Sequence, residues 1–355
     1  MGLRVTFPEA RTVSVVDDPE ASLGPHEVRV RTLYSGISAG TELTAFRGTS
    51  PHVTKQWDAA SRLFREGAAG PAFPVTTLGY EEVGEIVEVG GGGRGGSDGS
   101  DAVAVGDRVW GTWGHRSAAV LDVAQAAQRV LPPDADPRIG IFSHIGAVAV
   151  NAVLDADIHI GETVAVFGLG VPGQLVAQLA RLNGARVVVI DGIESRRELA
   201  LTLGADLALD PRDGVAERIR ELTDGRGADV AIEISGNARA LHEAVRSVAY
   251  NSRVVVAGFI QGDAVGLRLG EEFHHNRVQL VCSQISGSAP SLSHRWDRLR
   301  LNRTALGLAA EGRLDVTSLI SHTITLDEVA EAYRMLDETP QQALQVVIDF
   351  REDRS

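Results

Sequence analysis

Two residue types are almost missing from this 355-residue chain, which has one cysteine, Cys282, and one lysine, Lys55. A single thiol excludes a disulfide framework and any zinc site built from several cysteines of one chain. Lying in the apolar run "VQLVCSQI", Cys282 reads as a small core residue. The lack of lysine leaves little room for Schiff-base chemistry. Positive charge as a whole is in deficit, with 34 Lys and Arg against 47 Asp and Glu and a net charge of -13. Such a chain is repelled by nucleic acid and by anionic membrane surfaces. Long apolar runs are also lacking. The start, "MGLRVTFPEARTVSVV", has no apolar signal-like core, and no window reaches the ~18 apolar residues of a membrane span. These absences predict a cytoplasmic protein with a small-molecule ligand and with neither nucleic acid nor membrane as partner.

What the chain does have is two textures. Up to about residue 140 there are short alternating segments such as "HEVRVRTLY", "EVGEIVEVG", "DRVWGTW" and "AAQRVLP", broken by Gly, Pro and Asp. Period-two alternation with frequent turn signals indicates an antiparallel barrel or sandwich. A helical pattern is confined there to "QWDAASRLFREG". After Asp155, buried strands alternate with amphipathic helices: "TVAVFG" with "GQLVAQLARLNG", "RVVVID" with "SRRELALTLG", "DVAIEIS" with "ALHEAVRSV". That alternation predicts a parallel sheet covered on both faces. The tail, "RTALGLAAEG" to "ALQVVIDF", reads as helix, strand, helix, strand completing the first domain. The expected boundaries are 1–145, 146–287 and 288–355. The glycine-rich "GGGGRGGSDGSD", residues 90–101, reads as a flexible loop.

"VAVFGLGVPGQLVAQLA" places Gly168, Gly170 and Gly173 as G-x-G-x-x-G between a buried strand and a helix. The first glycine makes the turn, the second admits a pyrophosphate, and the third lets helix and strand pack closely; Val171 and Pro172 open the helix whose N-terminus faces the phosphates. The next strand ends in Asp191, 18 residues after Gly173. A carboxylate there bonds ribose hydroxyls and repels a 2'-phosphate, so NAD is favoured over NADP. Arg196 and Arg197 either form a solvated helix face or flank the adenosine ribose. Ser235, Gly236, Gly258 and Phe259 end the later strands and either border the cofactor or make ordinary turns.

The segments "GISAGTEL", "LGYEEVGEIVEVG", "VGDRV", "GLGVPG", "LGAD" and "DGRGADVAIEISG" occur in an order that resembles the medium-chain dehydrogenase/reductase superfamily. The resemblance implies an α/β protein: a GroES-like β-barrel catalytic domain with an inserted doubly wound Rossmann domain. Zinc members hold their metal with Cys in G-x-C, His in G-H-E and a third ligand before the Rossmann domain. Here those positions carry Ser38, Tyr80 and, near the third, His144. Neutral hydroxyls are poor zinc ligands, so this chain looks like a zinc-independent branch with no metal. A non-standard site using Glu81, His115 and His144 is the alternative. "SGIS-x-GTE" and "WGTWGH" are similar to bacteriochlorophyllide hydroxyethyl dehydrogenases, and "FHHNRVQLVCSQISG…HRW" looks like cyclitol and sugar-alcohol dehydrogenases of secondary metabolism.

Without a metal, hydrogen-bond groups must take the hydroxyl proton and stabilise the alkoxide. Tyr80 is a donor candidate, His144 an acid/base, and Thr41 a relay hydroxyl. Glu42 would orient Tyr80 or a substrate hydroxyl, and Glu81 would lie behind. Packing roles for Tyr80 and His144 remain open. Trp113, His115, Trp57 and Trp296 are candidates for the substrate wall. The expected activity interconverts a secondary alcohol and a ketone on a polyhydroxylated ring, with NAD. Alternatives are an NAD(P)H-dependent enone or quinone reductase and a non-catalytic nucleotide-binding protein. Pairing of the sixth Rossmann strand with its copy in relatives implies a homodimer.

Overall fold

The computed structural model describes residues 2–50, 55–67, 73–92 and 103–351. The chain divides into two units, residues 1–144 with 320–355, and residues 145–319. In the first, β1 (Gly2–Thr6) and β2 (Ser14–Asp18) form a hairpin, and β3 (Glu27–Ile37) runs into α1 (Ala39–Arg47). A second hairpin, β4 (Lys55–Asp58) and β5 (Leu63–Glu66), is followed by β6 (Glu82–Val89), β7 (Arg108–Gly111), β8 (Ala118–Asp122) and the short α2 (Val123–Ala127). The helix α3 (Ser143–Ala156) contains the unit boundary.

Unit 2 alternates β9 (Thr163–Phe167), α4 (Val171–Leu182), β10 (Arg186–Ile190), α5 (Glu194–Thr202), β11 (Leu207–Leu209), α6 (Val215–Leu222), β12 (Ala228–Glu233), α7 (Ala238–Ser247), β13 (Val248–Val256) and β14 (Gln279–Cys282). Its six strands are all parallel, in the order β11-β10-β9-β12-β13-β14. That is the doubly wound order in which the chain reverses between β9 and β12, leaving a crevice at the carboxyl ends of the strands. Val164, Ala165, Val166, Val187, Val188, Ala231 and Ile232 are buried on both faces, as a sheet covered by helices on either side requires.

After α8 (Arg298–Ala310) the chain returns to unit 1 with β15 (Ile320–Ile324), α9 (Val329–Glu338) and β16 (Gln345–Asp349). The unit 1 sheet has the order β15-β16-β3-β6-β7, with β8 also paired to β3. Phe7, Phe46 and Tyr333 pack together in a core of this unit, their rings 5.0–5.7 Å apart.

Several expectations need correction. The return begins at Ile320, not 288. Residues 288–319 stay with unit 2 because α8 buries Leu301, Ala305 and Leu306 there and because Gln178 clasps the backbone of Asp315 through both amide groups, at 3.0 and 2.8 Å. "QWDAASRLFREG" is a hairpin, not a helix. Asp58 accepts from Ala60 N–H, Ser61 N–H and Ser61 Oγ–H to close the turn, and Trp57 packs on Phe64 across the strands at 5.1 Å. "AAQRVLP" is mostly helix and turn, started by the Asp122 cap. Cys282 is exposed because β14 is the sheet's edge strand. Pro137–Ala156 is a helical stretch of 20 residues with mean hydropathy 1.6, longer and more apolar than expected; 83% of its most apolar window is buried, as in a core helix. Residues 93–101 of the glycine-rich loop lie outside the described residues.

Candidate active site

The nucleotide motif is built by backbone at the carboxyl edge of unit 2. Gly168 has φ +98°, and a Cβ there would meet the Ser235 Cβ at 2.6 Å. A Cβ on Gly173 would lie 1.9 Å from the Gly168 carbonyl oxygen. Gly170 differs: the nearest atom to a Cβ there is Pro172 Cδ at 3.8 Å, so nothing within the chain requires a glycine. The space in front of it suits a ligand that approaches the backbone. Gly170 is also the N-cap of α4 and makes no side-chain cap bond, and Val171 and Pro172 open the helix. Its first N–H groups and positive dipole end are those that bind phosphate elsewhere.

Asp191 stands one strand over. Its oxygens accept from Leu169 N–H at 2.7 Å and Ile193 N–H at 2.8 Å, which ties the carboxylate to the glycine turn and leaves lone pairs for hydroxyl donors. Arg197 donates to the Asp191 carbonyl at 2.6 Å and pairs with Asp210 at 3.1 Å, so it is committed inside the unit. Arg196 is half-buried, and its carbonyl accepts from Gln174. Ser235, Gly236, Gly258 and Phe259 converge at the ends of β12 and β13, where a Cβ on Gly258 would meet Gly236 N at 2.3 Å. Sequence reasoning missed Glu233, which organises that junction. It is fully buried, accepts from Ser235 N–H and Oγ–H, and lends its carbonyl to Ala257 and Gly258.

In unit 1 the predicted residues do come together. β3 ends at Ile37, Ser38 caps α1, and Thr41 lies in its first turn. The Ser38 and Tyr80 hydroxyls are bonded to each other, and Tyr80 Oη donates to Thr41 Oγ1 at 3.1 Å. The His144 ring lies 4.4 Å from that of Tyr80, centroid to centroid. Ser38, Tyr80 and His144 are half-buried and Thr41 is exposed, so the cluster reaches solvent.

Below it the unit is charged. Glu42, Glu81 and Glu82 are 3%, 1% and 0% exposed. Glu42 Oε1 accepts the Ser38 N–H at 2.8 Å, so Glu42 orients the helix start rather than Tyr80 directly. Burial, then the charges of Glu42 and Glu82, hold the Glu81 carboxyl well above the usual range, and its Oε2 has no partner. Burial and the Glu81 charge push the Tyr80 phenol up, outweighing its bonds to Ser38 and Thr41. Tyr80 therefore stays protonated and is suited to donate a proton or hydrogen bond, not to act as a phenolate base.

The four aromatic wall candidates are not brought together. Trp113 and His115 are 9% and 2% exposed and belong to the interior of unit 1. Trp113 donates through Nε1 to Thr32 at 2.9 Å, and His115 is held between Glu42 and Ser35 at 2.9 and 2.6 Å. Neither lines a substrate surface, because these bonds turn both inward. With both ring nitrogens engaged, His115 is also removed from the alternative metal site with Glu81 and His144. Trp57 is exposed on the β4–β5 hairpin, and Trp296 lies in unit 2 beneath the Arg300 guanidinium. Among the described residues, the one group of His and carboxylate side chains whose donor atoms converge within 4.8 Å is His242, Glu271 and Glu272, in unit 2.

Residues 170–299 match the zinc-binding dehydrogenase family model. The chain is 32% identical over 349 residues to D-guloside 3-dehydrogenase of Shigella flexneri, covering 96% of this chain and 97% of the relative. The chain belongs to the medium-chain dehydrogenase/reductase family. This dehydrogenase/reductase is also 26% identical to sorbitol dehydrogenase of Halalkalibacterium halodurans, covering 91% of this chain and 92% of that one. Its fold matches, with TM-score 0.74 and 23% identity, a zinc-binding dehydrogenase of Sinorhizobium meliloti solved with NADP, over 98% and 99% of the two chains. As a member of this family the protein is an oxidoreductase of the alcohol dehydrogenase kind, interconverting alcohol and carbonyl.

Proposed function

We propose that this oxidoreductase interconverts a secondary alcohol and a ketone on a polyhydroxylated ring, uses NAD, and works without zinc. The observation that carries the reading is the interlocked Ser38, Tyr80 and Thr41 hydroxyls beside the His144 ring. Zinc prefers thiolate, imidazole and carboxylate, and two of the three ligand positions carry neutral hydroxyls already bonded to each other, with the His144 imidazole alone at the third. The donor set does not suit the metal, so no step is assigned to it.

The uncapped N-terminus of α4, the open space at Gly170 and the carboxylate of Asp191 fit a dinucleotide with free ribose hydroxyls. Bound NAD would accept or return the hydride. The chain's own groups handle the proton. In ketone reduction the Tyr80 O–H donates to the carbonyl oxygen, with Thr41 and Ser38 holding the phenol in line and the His144 imidazolium beside it replacing the proton, so that no tyrosinate is left. In the oxidative direction the same path runs in reverse, the alcohol's proton passing to Tyr80 Oη as Tyr80 passes its own to neutral His144. The D-guloside and sorbitol dehydrogenases make a ring or chain of secondary hydroxyls the favoured substrate class. A homodimer formed through the free edge of β14 and a cytoplasmic location complete the proposal.

The test is initial-rate measurement on methyl glycosides, sorbitol and simple enones with NAD(H) and NADP(H). Oxidation of a glycoside or polyol with NAD at least about ten-fold better than with NADP is expected, since one repelled charge amounts to more than 1.4 kcal/mol. Asp191→Ala should erase that preference. Reduction of enones with NADPH and no alcohol oxidation would overturn the proposal.

A further inference from the structure

A chain of buried polar groups lies under the hydroxyl cluster and takes no part in the chemistry proposed above. Glu42 Oε2 accepts the Tyr333 O–H and faces His115 Nε2 at 2.9 Å. On the other side of the ring, His115 Nδ1 lies 2.6 Å from Ser35 Oγ, and Ser35 Oγ–H donates to Glu82 Oε1 at 3.1 Å. Tyr333, Ser35 and Glu82 are all 0% exposed, and the His115 side chain is likewise shut off from solvent.

The inventory of donors constrains the imidazole on the Glu42 side. A serine hydroxyl has one proton, and Ser35 spends it on Glu82. Where Glu82 is ionised, Ser35 Oγ then accepts from His115 and Nδ1 carries a proton; where Glu82 is protonated the run reverses. Glu42 acts only as an acceptor, taking Ser38 N–H on one oxygen and Tyr333 O–H on the other. Nε2 therefore carries a proton toward Glu42, and His115 is an imidazolium wherever Glu82 is ionised. The direction of its titration agrees: burial opposes the charge, but the Glu42 charge and hydrogen bond, with Glu82, outweigh it and raise the pKa.

We propose that Tyr333 and His115 are positioning residues that act through Glu42, fixing the carboxylate that pins the Ser38 N–H and so setting where Ser38 Oγ and Thr41 Oγ1 hold the Tyr80 phenol. The inference rests on the reading of Tyr80 as the proton donor. No proton path is implied, because the link from Glu42 to Ser38 runs through a backbone N–H. The link is geometric: the helix start that bears both hydroxyls is held by one carboxylate, and that carboxylate is held by a tyrosine from α9 and an imidazole N–H from the loop before β8. A misplacement of about 1 Å at reacting groups costs up to about 10²-fold in rate.

The experiment uses the full-length protein with a methyl glycoside and NAD. Tyr333→Phe and His115→Gln should each lower kcat about ten-fold, leave KM and the NADH dissociation constant within about two-fold, and shift the pH profile of kcat. The double variant should be no slower than the slower single one, since both act through Glu42. In the wild-type protein, 15N NMR should find His115 Nε2 protonated at pH 7, a readout that needs no variant to fold. Unchanged kcat and pH profile with only a lowered melting temperature would overturn the positioning role, and so would a His115 Nε2 without a proton. Tyr80→Phe run alongside separates the two ideas. If it is dead while Tyr333→Phe and His115→Gln are normal, the inference falls and the proposed function stands. If Tyr80→Phe turns over at the wild-type rate, the proposed function falls and takes the inference with it.

Discussion

The nucleotide edge of unit 2 is made by backbone, whereas the hydroxyl cluster of unit 1 is made by side chains. Gly168, Gly170 and Gly173 lie within one turn, and what matters about them is the absence of a Cβ. Ser38, Thr41, Tyr80 and His144 come from a strand end, a helix, a loop and a second helix, and their setting depends on Glu42, Glu82, His115 and Tyr333, drawn from still other segments. A backbone site tolerates almost nothing at its own residues and little depends on its neighbours. A side-chain site spreads its dependence over many positions.

Substitutions should expose this contrast. The largest effect is expected for Gly173→Val, whose Cβ would overlap the Gly168 carbonyl oxygen at 1.9 Å; NADH binding followed by fluorescence should be lost altogether. Next comes Tyr80→Phe, which keeps the ring against His144 and removes the donor. Turnover should fall by about 10²- to 10⁴-fold, the usual contribution of a positioned acid, with NADH binding unchanged.

A smaller effect concerns stability. Burial pushes the Glu82 carboxyl up to about 7 against the opposing charge of His115. A carboxyl whose folded pKa is raised binds its proton more tightly in the folded state, so stability falls as pH rises from about 4.5 through about 7. His115, also raised, loses its contribution as pH climbs through its folded value. Both push the same way. Chemical denaturation should show the wild type losing on the order of 3 kcal/mol between pH 5 and 8 relative to Glu82→Gln. A flat difference would mean that Glu82 is not desolvated in the protein.

Legibility followed the same line as construction. The glycine spacing and Asp191 were readable because each requirement is met within about 25 residues of chain. Ser38, Thr41, Tyr80 and His144 were found through their places in a family pattern, not through any local signal. Tyr333 was invisible: in "DEVAEAYRMLDE" it occupies an apolar position on α9, and nothing there reports that its hydroxyl reaches Glu42, 291 residues away. Trp113 and His115 were misread for the same reason, since a His in a glycine-rich loop looks accessible until the buried acids around it are known. The β4–β5 segment reads as a helix in sequence because its apolar residues fit a helical spacing, and the turn that Asp58 closes carries no signal that separates the two. The return at Ile320 was placed too early because α8 is amphipathic and would suit either unit on pattern alone.

The most direct test of zinc-free catalysis is turnover of the purified enzyme before and after exhaustive chelation, with metal content measured on the same samples. Full activity on a methyl glycoside and NAD with no stoichiometric zinc is the expected result. Loss of activity on chelation, with recovery on adding one equivalent of zinc, would contradict it.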